Sequence, residues 1–450
     1  MMSAHSVRWQ VDVTECQRAV RSLETRRTTV RDVRRANRAS LLTDLFHGGR
    51  QSRQQLGETT ALSQASVSNL IGEMIDEGLV EEAGLVGSDG GRPRALLRVV
   101  AGYGYVVGAD VGETRVLVEL YDLAMSRLGV AEYELDEGGD GPGPVVAKLL
   151  EGLTAVIAEA GVEESEVLGF GVGVAGVVDQ TGGDAVVYSQ TTGWDGIALG
   201  ALLRAGTDVP VFVENGAKTL GQAEMWFGAG RGARHAVIVM VGTGVGAAVV
   251  MNGQSYRGAH SNAGEWGHTT LVYDGDVCRC GARGCLEAYI GAATVNRRLA
   301  EAIGEPYDPA RLGRMLAADA PLPGRAAEVL AETVGYLGAG IADLVNLFSP
   351  ERIVLGGPAG LALGERFLPD IRAAAARNAL RRPYSETRID LCQLGPDAVA
   401  MGAATLPVAR LLADGGLPGS GAVPAMAAGF SRAAHRRQAA RRTTSGSRPE

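Results

Sequence analysis

An α/β fold behind a small, arginine-rich helical front is what this sequence predicts, and three observations carry it. Residues 1–100 hold 14 arginines, no lysine and 12 acidic residues, a net of +2, while the rest of the chain carries 29 basic and 39 acidic groups, a net of −10. Beyond Gly102 the texture changes to β-rich apolar runs broken by glycine and interleaved with helical stretches. Three of the five cysteines fall within CRCGARGC (278–285). A length of 450 residues suits two or three domains with a sizeable core. No apolar run reaches the ~18–20 residues needed to cross a bilayer. The N-terminal MMSAHSVRWQVDV has no apolar signal core, so a cytoplasmic protein without membrane association is expected.

The first ~25 residues keep no periodicity; 1–29 read as a disordered N-terminus. From Val30 to Phe46 the apolar residues keep helical spacing, and HGG (47–49) ends the segment. RRTTVRDVRRANR (26–38) has six arginines against one acid, which suits a solvated helix face as well as a nucleic-acid surface. SRQQLGETT (52–60) makes a short helix and ALS (61–63) a turn, with Ser63 placed as an N-cap. The next segment puts Val67, Leu70, Ile71, Met74 and Ile75 on one face. Gln64, Ser66, Ser68, Asn69 and Glu73 occupy the other, short and polar enough to meet base edges or phosphates. VEEAGLVGSDGGRPRALLRVV (80–100) reads as strand, glycine-rich turn and strand, with Arg92 and Arg94 flanking a proline at the tip. Three helices and a basic hairpin make a winged helix-turn-helix over 30–100, with 64–77 as the major-groove helix.

The stretches 105–123, 167–179 and 235–254 each read as strand–turn–strand, 145–161 as a helix, and RIVLGGPAG (352–360) as a strand with a glycine turn. GADVGETR (108–115) sets Asp110 at a strand end, with Gly112 and Thr114 in the turn. VGTGVGA (241–247), with Gly242, Thr243 and Gly244, offers successive backbone N–H groups for a phosphate. Either alone is weak evidence. Together with LGGPAG they are what the two phosphate loops and the adenosine loop of an actin-like ATPase look like. From about Asp414 the chain is rich in Gly, Pro and Ala and then in Arg. Residues 413–450 read as a disordered basic tail adding loose affinity for DNA.

His268, Cys278, Cys280 and Cys285 give H-x9-C-x-C-x4-C, four soft ligands with no open position. A disulfide within C-x-C is strained, a redox pair is normally C-x-x-C, and zinc clamps such Cys3His sets tetrahedrally without a catalytic water. Structural Zn2+ is the expected cofactor.

GEWGHTTLVYDGDVCRCGARGCLE (264–287) resembles the ExGH and CxCGxxGCxE motifs of the ROK family of repressors and sugar kinases, and the likeness runs from about Val30 to Leu412. The front, the GRP wing and GVGVAGVVD resemble that family's repressor members, the xylose-repressor-like branch. The resemblance implies a two-lobed sugar-kinase (ribonuclease-H-like) fold over 101–412 with an aldose in the cleft. Glu265, His268 and Glu287 match family residues that contact sugar hydroxyls; Asn215 would reach the sugar from the other lobe. His268 would bind zinc through one ring nitrogen and face the ligand with the other. In the family's kinases VFVENGAKTLGQAE (211–224) reads Asn-Asp at the position where Asn215 is followed here by Gly216. Glycine accepts no proton, and losing a general base typically costs about 10²–10⁴ in rate. Glu214 points to the opposite face of its strand. Glu113 puts a negative charge where ATP phosphates approach, so ATP is not an expected ligand. Thr191 stands where the family has an asparagine near the sugar.

The sequence therefore predicts a sugar-responsive regulator, a repressor of carbohydrate genes, with a catalytically lapsed kinase-like sensor. It would act as a homodimer or tetramer on pseudo-palindromic double-stranded DNA. The alternatives are a working sugar kinase carrying a winged helix, and a repressor controlled by a protein partner through a dead effector site.

Overall fold

The computed structural model describes residues 29–88, 91–135, 141–190, 192–318 and 321–417. The expectations for 1–28 and 418–450, and the one for Thr191, lie outside the described residues.

Helix α1 (Val30–Gly48) opens on a capping box in which Thr29 and Asp32 satisfy each other's backbone N–H, and Gly49, at φ 69°, closes it. Strand β1 (Gln51–Ser52) and helices α2 (Arg53–Thr60) and α3 (Gln64–Asp76) follow, with Ser63 capping α3 through the N–H of Ser66. Leu41, Leu42, Leu45, Leu56, Val67, Ile71 and Met74 are fully buried between the helices, each worth roughly 1.5–3 kcal/mol in transfer from water. Strands β2 (Val80–Ser88) and β3 (Gly91–Val99) form the wing. The two-residue β1 pairs with the far side of β3, which no sequence pattern announces because two residues carry no periodicity.

Two five-stranded sheets of matching topology follow. The first runs β11–β7–β4–β5–β6 and is built from β4 (Tyr105–Val111), β5 (Arg115–Asp122), β6 (Arg127–Glu134), β7 (Val167–Val174) and β11 (Val211–Asn215). The second runs β14–β13–β12–β15–β16 and is built from β12 (Ala236–Val241), β13 (Val245–Met251), β14 (Gln254–Tyr256), β15 (Arg352–Gly356) and β16 (Arg388–Leu391). In each, an antiparallel meander is extended by two parallel strands. This is the duplicated, two-lobed actin-like plan behind a winged helix. A small sheet of β8 (Val177–Asp179), β9 (Val186–Ser189) and β10 (Trp194–Ile197) rims the first lobe. The 167–179 stretch is thus no hairpin: β7 enters the main sheet, and β8 pairs with β9 instead. Gly176 makes the exit at φ 108°, where a Cβ would lie 2.3 Å from the Tyr188 carbonyl oxygen.

The helices are α4 (Pro142–Ala160), α5 (Leu199–Arg204), α6 (Gly216–Phe227), α7 (Glu287–Ile290), α8 (Ala292–Ile303), α9 (Arg311–Ala317), α10 (Gly324–Phe348), α11 (Pro358–Asn378), α12 (Arg381–Glu386) and α13 (Ala398–Ala413). Helix α13 lies directly on the first sheet: a Cβ at Gly108 or Gly171 would fall 2.0 Å or 1.9 Å from the carbonyl oxygens of Ala400 and Ala403. On its other side it meets α6, which packs in turn on β12 and β13 of the second lobe.

The front docks on the far ends of these two helices. Phe46 and His47 stack edge-on against Trp226, and Arg231 donates to the His47 carbonyl. Arg35 pairs with Asp414, and Arg38 binds both Glu77 and the Gly415 carbonyl. Two corrections follow. The chain stays ordered and packed through Gly416, beyond the expected start of a loose tail, because Asp414 is an ion-pair partner of α1. And Arg34, Arg35 and Arg38 of the basic run are paired with Glu73, Asp414 and Glu77, so that much of the run holds the protein together.

Burial holds the His47 imidazole down at about 4, with Arg231 adding to the effect. The unfolded chain, with a histidine near 6.5, takes up that proton more readily, so stability is full above pH ~6.5 and falls as the pH drops towards 4. The expected His47 contribution is at most about 3 kcal/mol. Melting curves of His47→Gln should lose less stability between pH 6.5 and 4 than the native protein; parallel curves would remove His47 from the acid limb.

Candidate functional site

Residues 269–286 fold back on themselves as a knuckle. Thr270 bridges Cys285 and Val277 bridges Arg283, while the Cys278 N–H bonds the Ala282 carbonyl at 2.8 Å. Gly284 has φ 74°, and a Cβ there would fall 1.6 Å from the Val272 carbonyl oxygen, so only glycine closes this turn. The result gathers His268, Cys278, Cys280 and Cys285, with all four donor atoms within 4.8 Å of one another. His268 Nδ1 lies 3.7 Å from Cys278 Sγ, and the sulfurs of Cys280 and Cys285 are also 3.7 Å apart. A disulfide needs ~2.05 Å, whereas sulfurs ~2.3 Å from a common tetrahedral ion sit about 3.8 Å apart. The cluster can hold a metal ion. Burial, and then the neighbouring thiols, push Cys285 up to about 12, while at Cys280, against its burial, hydrogen bonds from Ala282 and the neighbouring thiols lower the thiol.

Glu265 and His268 sit on the short turn leading into the knuckle, and Glu287 opens α7 just after it. Glu287 is buried; one oxygen accepts from the Val245 N–H at 2.9 Å and the other from Arg279 Nε at 3.0 Å. Burial raises the Glu265 carboxyl above its ordinary range; His268 and Lys218 oppose this and Glu287 adds to it. The structure therefore groups Glu265, His268 and Glu287. Asn215 lies at the junction of β11 and α6, as the α6 N-cap. Its Oδ1 accepts from the Lys218 N–H at 3.1 Å and its Nδ2 donates to the Gly176 carbonyl at 2.7 Å. Both ends of its amide already serve the fold.

Gly216 occupies the first turn of α6 with no positive φ, and a Cβ there would meet nothing closer than 3.5 Å. Neither backbone nor space demands glycine, so what the position lacks is a carboxylate. Glu214 is buried and ion-paired with Arg257, which also reaches Gln180 at 3.1 Å.

Three cations near these residues were not foreseen. Lys218 is buried and donates to the Ser261 carbonyl; burial lowers its ammonium pKa, against the pull of Glu214. Arg257 joins β14's exit to β11. Arg279, between two of the cysteines, bonds Glu113 at 2.9 Å, Glu287 at 3.0 Å and the Thr243 carbonyl. A signal existed for one of them: all 43 basic residues except Lys148 and Lys218 are arginine.

Arg279 thereby spans the two glycine loops. The first turns with Gly112 N–H on the Arg115 carbonyl at 3.0 Å, next to Thr114; the second turns with Gly242 N–H on the Gly244 carbonyl at 2.9 Å. The Val245 N–H, a donor of the kind a phosphate would use, is bonded to Glu287, and the Thr243 carbonyl accepts from Arg279. Burial pushes Asp110, at the end of β4, up to about 7, with Arg115 pulling it down.

On the front, Gln64, Ser68 and Asn69 are exposed along α3, while Ser66 is half-buried with its hydroxyl 2.9 Å from that of Ser63. Arg94 is exposed on β3; the side chain of Arg92 lies outside the described residues. Among the described residues no helix is long and apolar enough to cross a membrane.

A family model described as ROK family matches residues 106–410. The chain is 28% identical over 395 residues to a putative xylose repressor of Caldicellulosiruptor sp., covering 85% of this chain and 97% of that protein. It is 30% identical over 310 residues to a glucokinase of Halalkalibacterium halodurans, covering 66% and 93%. Among solved structures, a ROK family transcriptional regulator described as a homolog of the E. coli MLC protein superposes with a TM-score of 0.69 at 25% identity, covering 85% and 98%.

Proposed function

Because the chain belongs to the ROK family, we propose that it is a sugar-responsive, DNA-binding transcriptional repressor whose kinase-like cleft senses a sugar without phosphorylating it. Similarity to the putative xylose repressor covers 85% of this chain against 66% for the glucokinase, and so reaches beyond the 106–410 family match. The observation that carries the sensor reading is Gly216 beside a cleft spanned by Arg279. The position of a general base has no carboxylate, and an arginine paired with Glu113 and Glu287 lies between the two glycine loops. Glu265, His268 and Glu287 would bind the sugar hydroxyls, with Asn215 completing the site from the first lobe. Zinc would occupy the His268, Cys278, Cys280 and Cys285 cluster and fix the His268 ring for the ligand. Gln64, Ser66, Ser68 and Asn69 of α3 would face the major groove, Arg92 and Arg94 would add phosphate or minor-groove contacts, and a dimer or tetramer would read a pseudo-palindrome. The winged helix at 30–100, the effector body at 101–412 and a cytoplasmic location complete this reading.

Moving a 1:99 population of states to 99:1 takes about 5.5 kcal/mol, within reach of four or so sugar hydrogen bonds at about 1–3 kcal/mol each. The test is a gel shift on the DNA upstream of the protein's own coding region, with and without a panel of aldoses and amino sugars. Glu265→Ala should lose the sugar response and keep sugar-free DNA binding. The likeness to a glucokinase favours one competing reading, an active kinase. Sugar phosphate formed on incubation with ATP would establish it and end the sensor reading; an unaltered response in Glu265→Ala would place the effector elsewhere.

A further inference from the structure

We infer that α6 and α13 act as one rigid coupling between the cleft and the DNA-binding front, delivered through an aromatic joint of Phe46, His47, Trp226 and Phe227. This rests on the sensor reading above and says through which residues the sensor acts. At the cleft end, α6 begins at Asn215, whose amide holds the first lobe at Gly176, and Lys218 ties its first turn to Ser261 of the loop that leads to Glu265. The N-terminus of α13 is held on the same lobe by Asp397, 3.1 Å from Arg115.

Along their length the two helices are locked in parallel. A Cβ at Gly402 would fall 2.0 Å from the Thr219 carbonyl oxygen, and three residues further on Gln222 donates to the Thr405 hydroxyl at 2.7 Å. Backbone contact at one point and a buried hydrogen bond one turn later leave no room for independent sliding. Both helices then end under α1. His47 lies 4.7 Å from Trp226, ring centre to ring centre, and Phe46 lies 5.8 Å from Trp226 and 6.3 Å from Phe227. Asp414, just past α13, is shared by Arg35 of the front and Arg410 of α13. Twelve residues of helix span about 18 Å, so a tilt set by lobe movement at Asn215 arrives at the joint as a displacement of the surface on which α1 rests. Trp226 and Phe227 lie at the opposite end of α6 from Asn215, which separates the joint from the proposed sugar site.

The experiment uses the full chain, with xylose, glucose and N-acetylglucosamine as probes. Hydrogen exchange on the unaltered protein should change at 46–48 and 226–231 when the active sugar is added. Trp226→Leu and, separately, Phe46→Leu should keep sugar affinity in the absence of DNA within about twofold. The ratio of operator affinities with and without sugar should fall about tenfold or more towards one, and by reciprocity so should the effect of operator on sugar affinity. A variant that keeps the full native ratio, or exchange at the joint indifferent to sugar in the native protein, overturns the coupling and leaves the sensor standing. A native protein whose operator affinity no probe changes overturns both.

Discussion

Cys285→Ser is expected to abolish stoichiometric metal binding and to melt the knuckle from 269 to 286. Cys285 is fully buried, and a serine hydroxyl there is a far weaker ligand for a soft ion than a thiolate. Apparent binding energies of structural Cys/His zinc sites are ~10–16 kcal/mol, and that energy holds the loop as well as the ion. Elemental analysis should fall from one zinc per chain to a small fraction, and the melting temperature should drop with it. Because Arg279 sits between Cys278 and Cys280, the same change should also release its bonds to Glu113 and Thr243 and weaken sugar binding. A zinc content of one per chain in the variant would show that the cluster is not the metal site. Native protein purified without chelator and free of zinc would show the same.

The largest expected loss of stability away from the metal comes from Glu224→Ala. This carboxylate is fully buried at the end of α6 and accepts from the N–H groups of Ala229 at 2.6 Å, Gln393 at 3.0 Å and Leu394 at 3.0 Å, with the Cys392 thiol at 2.7 Å. Truncation strands three backbone donors in the interior, each costing about 1–3 kcal/mol. A loss on the order of 4 kcal/mol, or roughly 5 °C in melting temperature, is expected. Glu224→Gln keeps one carbonyl acceptor and should lose less. A Glu224→Ala protein within about 1 kcal/mol of native would mean that water enters and satisfies those groups.

The sequence disclosed whatever is encoded within a turn or two of chain. The Ser63 cap, the periodicity of α1 and α3, the hairpins at 105–123 and 235–254 and the cysteine spacing all depend on neighbours a few residues apart, and all reappear in the structure. What stayed hidden depends on partners far along the chain. GVGVAGVVD looked like a hairpin because only residue 186 onward supplies the true partner of β8. The arginines of α1 looked like a free basic surface because Asp414 lies 379 positions from Arg35. The cleft cations stayed hidden for the same reason: Glu113 and Arg279 come together across 166 positions, and no local pattern marks a charge for burial beside an opposite one.

The placement of α13 sets an order on synthesis. The helix that fills the face of the first sheet, and on which the front rests, is the last one described in the chain, whereas the front itself is the first. At roughly 5–20 residues per second, the ribosome needs on the order of 15–60 s to travel from the end of the wing to the end of α13. Throughout that interval the nascent winged helix has at most the α6 half of its docking surface, and Gly108 and Gly171 face an empty groove. Pairings so distant in the chain also slow the final closure. A polypeptide released before α13 is made would therefore lack the Asp414 and Gly415 contacts that hold the front and the helix that fills the first sheet's face.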